Sequence, residues 1–253
     1  MSSQLISADR ILDKLDEYLG RNDYVSAERH LKYWLGEAEV AGDHRTELLV
    51  SNELMGLYRK LGKREEALER AQTALKRIDE LNIGTQVGAA TTFLNCATVC
   101  KAFGMPERSL ELFIKAEQIY LYELEENDSR LGGLYNNMAL TLVDLGRFRD
   151  ADEAYSKALA IMEKNEGGDL EVAITYLNMA SAAEAELGLL DADERIQELM
   201  DRAASLLEAH ARRDGYYAFV CEKCASVFEY YGRFMYAGGI AERARRIYQS
   251  EGN

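Results

Sequence analysis

The sequence predicts an all-α fold, a right-handed superhelical solenoid of about six antiparallel helix–turn–helix hairpins. Three observations predict it. The chain has 253 residues and a single proline, Pro106, whereas a β-rich fold of this size needs many turn-forming residues. Short glycine turns recur at a nearly constant interval. A small residue follows each turn, with apolar residues at helical spacing on both sides of it.

The recurrent turns mark where one helix of each hairpin ends. Their glycines lie 42 or 44 residues apart, and they are Gly62, Gly104, Gly146, Gly188 and Gly232. A glycine just past a helix end adopts the left-handed conformation that other residues resist. An earlier copy has no glycine and reads Asn22-Asp23-Tyr24. The sequence therefore predicts six hairpin turns.

A small residue four or five positions after each glycine serves as an anchor for aligning the copies. The anchors are Ala27, Ala67, Ser109, Ala151, Ala192 and Ala237. Apolar or small residues stand at fixed helical distances before and after them, for example Ala139 and Leu142 before Ala151. Small residues at these positions let two antiparallel helices approach closely. We expect one domain over 1–253, with repeats at about 8–40, 47–82, 88–125, 130–165, 170–210 and 215–249.

The clearest copies run from Leu54-Met-Gly-Leu-Tyr58 through Leu75 and from Met138-Ala-Leu-Thr-Leu142 through Leu159. This pattern resembles the tetratricopeptide repeat over about residues 8–249. Tyr135, Tyr176 or Phe93 replaces the family's first-helix tryptophan, the closing proline is missing, and the period exceeds the usual value of about 34. The long repeats are most similar to those of kinesin light chains and of Gram-positive peptide-pheromone receptors. The resemblance implies a protein- or peptide-binding scaffold whose first helices line a concave groove.

Composition excludes several other classes of protein. Asp and Glu outnumber Lys and Arg by 44 to 30, giving a net charge of −14, which argues against nucleic-acid and anionic-membrane partners because phosphate contacts need clustered cations. The first ten residues show no basic segment followed by an apolar run. No stretch approaches the roughly 18 to 20 apolar residues of a membrane span. We expect a cytoplasmic protein without cofactor or metal.

Candidate catalytic residues are few. Cys221-Glu-Lys-Cys224 has the spacing of a redox or zinc motif, but both cysteines stand in register with core positions such as Tyr135 and Met138. Cys96 and Cys100 also occupy packing positions, so we interpret the thiols as structural and keep a thiol enzyme as the remote alternative. We interpret the three histidines, which show no catalytic or metal-ligand spacing, as exposed: His30, His44 and His210. We therefore expect a binding protein rather than an enzyme.

A row of asparagines gives the best functional signal. Asn95, Asn137 and Asn178 stand fourteen positions before their anchors, on the first helix of three successive hairpins. Asparagine is a mediocre helix former, so helix propensity does not explain the row. A carboxamide can donate to and accept from a peptide backbone, and groove asparagines hold ligand in the receptors that the repeats resemble. The alternative is that these residues brace neighbouring helices.

The complete hypothesis is that an extended polypeptide lies across hairpins two to five. Asn95, Asn137 and Asn178 bind its backbone, an apolar group contacts a side chain, and a basic group attracts a carboxylate. The candidate residues in chain order are Asn52, Arg59, Lys60, Asn95, Lys101, Asn136, Asn137, Leu140, Val143, Leu177, Asn178 and Ser181.

Self-association is the alternative function. The last helix, near 237–248, is followed by no polar capping helix, and repeat stacks usually need one. Ile240 and Ile247 are expected on an uncovered terminal face. Such a face could dimerise or dock on a partner.

Overall fold

The computed structural model describes residues 7–251, with side chains to residue 249, and every regular element in that range is an α-helix. Residues 1–6, 252 and 253 of the predicted domain lie outside the described residues. The helices are α1 Ala8–Gly20, α2 Tyr24–Ala41, α3 His44–Lys60, α4 Arg64–Leu81, α5 Val87–Ala102, α6 Pro106–Glu123, α7 Ser129–Asp144, α8 Phe148–Met162, α9 Asp169–Leu187, α10 Asp193–Ala209, α11 Gly215–Tyr230 and α12 Phe234–Glu251.

These helices pair into six hairpins that match the predicted repeats within a few residues. The predicted all-α solenoid of helix–turn–helix repeats is confirmed. The second hairpin begins three residues earlier than predicted because Asp43 caps α3, its side chain accepting from the Thr46 N–H at 3.1 Å. Asp128 and Asp214 cap α7 and α11 in the same way. A carboxylate at this position satisfies a free backbone donor and favours the helix N-terminus.

The anchor residues lie in the core, as the repeat pattern predicts. Ala67, Ala151 and Ala192 are at most 1% exposed. In the third hairpin, Ser109 Oγ donates to the Ala97 carbonyl at 2.8 Å. Ala97 stands twelve positions before Ser109, so this bond joins the two positions that small residues were expected to bring together. A large residue at either position would separate the helices.

The chain divides into two compact units, the first ending at Glu123 and the second beginning at Leu124. In the first unit α3 packs against α4 and α5; in the second, α9 packs against both α7 and α11. Successive first helices are therefore neighbours within each unit. The expectation of a single domain stays a prediction.

The turn between α9 and α10 differs from the other glycine turns. Gly62, Gly104, Gly146 and Gly232 take positive φ and allow the next N–H to bond back to the helix, as Arg147 does to the Leu142 carbonyl at 2.8 Å. Gly188 has φ 83 and ψ 157, and α10 begins only at Asp193. The segment between α9 and α10 makes one separate turn, in which the Ala192 N–H donates to the Gly188 carbonyl at 3.0 Å.

The last helix does not have the uncovered apolar face that the sequence predicts. Ile240 is fully buried in the core of the second unit, and Ile247 is partly buried against it. The expectation for Ile240 was wrong, because beyond the exposed Phe234 and Met235 at its start α12 turns its apolar side toward α11 and exposes small or polar residues such as Gly238 and Arg245. Ile240 and Ile247 thus pack with the core of the second unit instead of forming an uncovered terminal face.

Candidate functional site

The exposed and half-buried side chains of α7, α9 and α11 form a surface of the second unit. We call this surface the first-helix face. Its residues are Asn137, Leu140, Val143, Asn178, Ser181, Glu184, Tyr216, Phe219 and Tyr230.

The two predicted asparagines of this face are held in different ways. Asn137 Nδ2 donates to the Gly133 carbonyl of its own helix at 2.8 Å. Asn178 Nδ2 donates across to Asn136 Oδ1 on α7 at 3.1 Å. Asn136 is only 7% exposed, so it acts as the acceptor of an interhelical brace and offers little surface to a ligand.

These bonds orient the two amides. In the described chain, neither Asn137 Oδ1 nor Asn178 Oδ1 has a hydrogen-bond partner, whereas both amide nitrogens are engaged. An amide oxygen with free lone pairs accepts N–H donors. Bracing and ligand contact are therefore compatible at these residues, since each uses a different atom of the amide.

The apolar part of the predicted site is smaller than expected. Leu140 and Val143 are half-buried on α7, but Leu177 is 2% exposed and belongs to the core of the second unit. Placing Leu177 in the site was wrong, because that position of α9 faces the packed interior. Ser181 is exposed, and its hydroxyl donates to the Leu177 carbonyl at 3.3 Å.

Aromatic residues of α11 extend this face, and the predicted site omits them. The hydroxyl groups of Tyr230 and Tyr231 both donate to the Glu184 carboxylate of α9, at 2.8 and 2.7 Å. Burial and this carboxylate raise the pKa of Tyr231. Tyr216 and Phe219 are 47% exposed and stack with ring centroids 6.3 Å apart. Tyr216 and Phe219 lie three positions apart, and this spacing alone indicates from the sequence that they share one side of α11.

In the first unit, the predicted amides lie on α3 and α5. Asn52 Nδ2 donates to Thr92 Oγ1 on α5 at 3.2 Å, a second brace between successive first helices. Its Oδ1 is buried without a hydrogen-bond partner in the described chain. Asn95 is half-buried. Nearby on α3, burial and the like charge of Asp16 raise the pKa of Glu53.

The predicted basic group lies at the C-terminal ends of the same two helices. Arg59 and Lys60 are exposed in the last turn of α3, and the half-buried Lys101 lies in the last turn of α5. Lys60 Nζ also lies over the Tyr24 ring at 5.0 Å. Cations at helix C-termini are favoured by the helix dipole. These residues therefore stabilise the ends of α3 and α5, whether or not they also bind a partner.

The cysteines and histidines have structural surroundings. All four thiols are buried, and burial raises the pKa of Cys221 to about 11 and that of Cys224 to about 12. A protonated, inaccessible thiol is a poor nucleophile. The expectation of exposed histidines was wrong, because His30, His44 and His210 are all half-buried; His210 packs on Tyr217 and bonds Asp169 Oδ2 through Nδ1 at 2.7 Å.

His210 lines an open cleft of about 1130 Å³ in the second unit, among the ends of α8 and α10 and the start of α9. Tyr176, Arg202 and several carboxylates also line it, but none of the predicted site residues does. Among residues 7–251, no three His, Cys, Asp or Glu side chains are arranged to hold a metal ion. No helix in that range has the length and apolarity needed to cross a membrane.

Comparison with known proteins identifies the repeat type. The sequence model of the tetratricopeptide repeat matches residues 130–204, which hold α8, α9, nearly all of α7 and most of α10. The fourth and fifth hairpins thus match the tetratricopeptide repeat, and the other hairpins share their helix–turn–helix form. A search of curated protein sequences found no match.

Solved structures share this helical fold. The apo form of RapI is 15% identical, has a TM-score of 0.66, and covers 98% of this chain and 88% of its own. BtubC from P. vanneervenii is 20% identical with a TM-score of 0.57, covering 92% of both chains. A Rap protein complexed with competence and sporulation factor is 17% identical with a TM-score of 0.60, covering 98% of this chain and 67% of its own. At these identities the likeness concerns the fold.

Proposed function

We propose that the protein is a non-catalytic binding module whose first-helix face in the second unit holds an extended peptide segment of a partner. The orientation of Asn137 and Asn178 carries the proposal. Both amide nitrogens are held by protein acceptors, and both amide oxygens are without partners in the described chain. The two oxygens accept backbone N–H groups of the peptide, which are present at every residue whatever its side chain.

Neighbouring side chains give the peptide its preferences. Leu140 lies three positions beyond Asn137 and Val143 three beyond Leu140, so each is next to the one before it on the surface of α7, and the two contact an apolar side chain of the peptide. The stacked Tyr216 and Phe219 add a second apolar contact on α11. A tetratricopeptide scaffold suits this role because its first helices present one continuous row of side chains. The Rap structure with a bound factor gives a precedent in a protein of the same fold.

For the first unit, taken by itself, we propose that Arg59 and Lys60 attract a carboxylate of a bound partner. Both cations are exposed and belong to consecutive positions of α3. In solution, the attraction weakens as salt is raised, because exposed charges are screened.

The experiment starts with a displayed peptide library selected on the purified chain. Binding of a selected peptide is then titrated calorimetrically against the parent, Asn137→Ala, Leu140→Ala and Arg59→Gln. Loss of one hydrogen bond at Asn137 costs about 0.5 to 1.5 kcal/mol, which is an affinity loss of about 2- to 13-fold. The control is Gln118→Ala, which removes an exposed amide from α6, a second helix.

The expected result is weaker binding to Asn137→Ala and Leu140→Ala with unchanged binding to Gln118→Ala. If selected peptides bind both first-helix variants as tightly as the parent, the first-helix face is not the binding surface. Arg59→Gln tests the first-unit proposal separately. This variant should bind selected peptides that carry a carboxylate more weakly than the parent does.

A further inference from the structure

A second surface of the second unit is apolar and exposed, at the turns of the last two hairpins. Leu187, Leu189 and Leu190 are 48, 50 and 90% exposed around the α9–α10 turn. Phe234 and Met235 are 66 and 94% exposed at the α11–α12 turn. Single exposed apolar side chains are ordinary, but adjacent ones form a patch of the kind that marks an interaction surface.

The two turns lie side by side. Tyr230, which is 68% exposed, and Tyr231 hold Glu184 in the last turn of α9, three residues before Leu187. Arg233 donates from Nε and a terminal nitrogen to Gln197 Oε1 on α10, at 3.0 and 2.7 Å. The α11–α12 turn is thus attached to both helices of the fifth hairpin. We call the combined surface the turn-edge patch; it consists of Leu187, Leu189, Leu190, Phe234 and Met235.

The repeat does not require a leucine at two of these positions. In the fourth hairpin, the residues in register with Leu187 and Leu190 are Gly146 and Arg149, and both are exposed. That hairpin folds with a glycine and a cation where the fifth has two leucines. Leu190, which is 90% exposed, contributes almost nothing to core packing, so the fold gives no reason for a leucine there.

Carboxylates surround the turn-edge patch. Glu186, Asp191 and Glu194 are exposed, and within the described chain none of them forms an ion pair. The neighbouring cation, Arg233, is already bound to Asp201 at 2.8 Å. The rim of the patch is therefore negative and uncompensated.

We propose that the turn-edge patch binds a short amphipathic segment of a different protein, with an apolar side flanked by Lys or Arg. The apolar side covers the exposed leucines, Phe234 and Met235, and the flanking cations pair with the acidic rim. A second copy of this chain is a poor occupant. Two identical patches facing each other would bring the same carboxylates together, and like charges across an interface oppose association.

The probe is a synthetic amphipathic peptide of leucine and lysine, labelled for fluorescence anisotropy, and its partner is the full chain. A peptide with glutamate in place of lysine is the charge control. The patch variant combines Leu190→Ser, Phe234→Ser and Met235→Ser, all at exposed positions, so its circular dichroism and melting should equal those of the parent. The matched control combines Val40→Ser and Tyr122→Ser, at apolar positions 92 and 87% exposed in the first unit.

The patch variant is expected to bind the lysine peptide at least about tenfold more weakly, because three apolar contacts are lost. The matched control should bind like the parent. Asp191→Lys with Glu194→Lys should weaken binding of the lysine peptide and strengthen binding of the glutamate peptide, a reversal that a purely apolar patch would not give.

Two results would overturn the proposal. One is lysine-peptide affinity that is the same for the patch variant and the parent. The other comes from sedimentation: a concentration-dependent dimer of the parent that the patch variant loses would make a second copy the occupant. Neither result depends on the first-helix face, because no residue of the patch variant belongs to it.

Discussion

The fourth and fifth hairpins are built on the same repeat and differ at their turns. Core positions of the fourth recur 41 residues later, as with Ala139 and Ala180, both fully buried, and Ala151 and Ala192. The tetratricopeptide match covers both hairpins. In spite of this, α8 starts at Phe148, whose counterpart in the fifth hairpin is Leu189. Helix α10 starts only at Asp193, four positions after that counterpart.

The position of one glycine explains the difference. Gly146 takes φ 68 directly after α7, and its counterpart in the fifth hairpin is Leu187. A leucine pays a steric penalty in the left-handed region, so α9 continues through Leu187 and the chain turns at Gly188 instead. A shift of one residue in the glycine thus changes a regular turn into one that exposes three leucines.

The amides of the two hairpins also differ in what they hold. Asn137 bonds its own helix, whereas Asn178 braces α9 to α7 through Asn136. Residues in the same register therefore contribute differently to stability, although both offer an amide oxygen. Sequence register predicts where a side chain lies but not which neighbour it bonds.

The largest expected effect tests what the two hairpins share. Ala139→Leu and Ala180→Leu should each destabilise the fold by about 2 to 3 kcal/mol, because an added side chain overpacks a buried helix contact. Chemical denaturation measures both, with Ala185→Leu on the exposed side of α9 as the control. An unchanged midpoint for either buried position would show that its helices do not approach as closely as described.

The second prediction tests the glycine difference. Gly188→Ala should cost about 2 kcal/mol, because φ 83 with ψ 157 is a conformation that essentially only glycine adopts. Gly146→Ala should cost about 1 kcal/mol, and Gly146→Asn less, since asparagine tolerates the left-handed region and Asn22 and Asn82 occupy it here. Thermal unfolding gives the ranking. Equal tolerance of asparagine at both glycines would contradict the proposed distinction between the turns.

The smallest expected change in stability distinguishes Asn137 from Asn178. Asn178→Ala leaves the buried Asn136 Oδ1 without its donor and should cost about 1 to 2 kcal/mol. Asn137→Ala should cost under about 0.5 kcal/mol, because the Gly133 carbonyl keeps its helical partner. A double-mutant cycle of Asn136 and Asn178 should show coupling between them. Additive effects would mean that the brace contributes nothing.

The sequence alone determined the repeat and its phase. Anchors such as Ala67 and Ala151, with their glycine turns, were enough to place six hairpins and their buried positions, because helical spacing fixes which side chains share a face. The same register located Asn137, Leu140 and Val143 on the surface of α7. It also placed the cysteines in the core.

The tertiary structure decided what depends on contacts between elements. Leu177 and Ile240 are buried because neighbouring helices cover them, and the periodicity of one helix does not reveal its neighbours. The brace between Asn136 and Asn178 requires two helices at the correct separation. The turn-edge patch exists because the end of α9 is displaced and the last turn lies beside it. The sequence thus determined the faces of each helix, and packing between the helices decided which faces remain available to a partner.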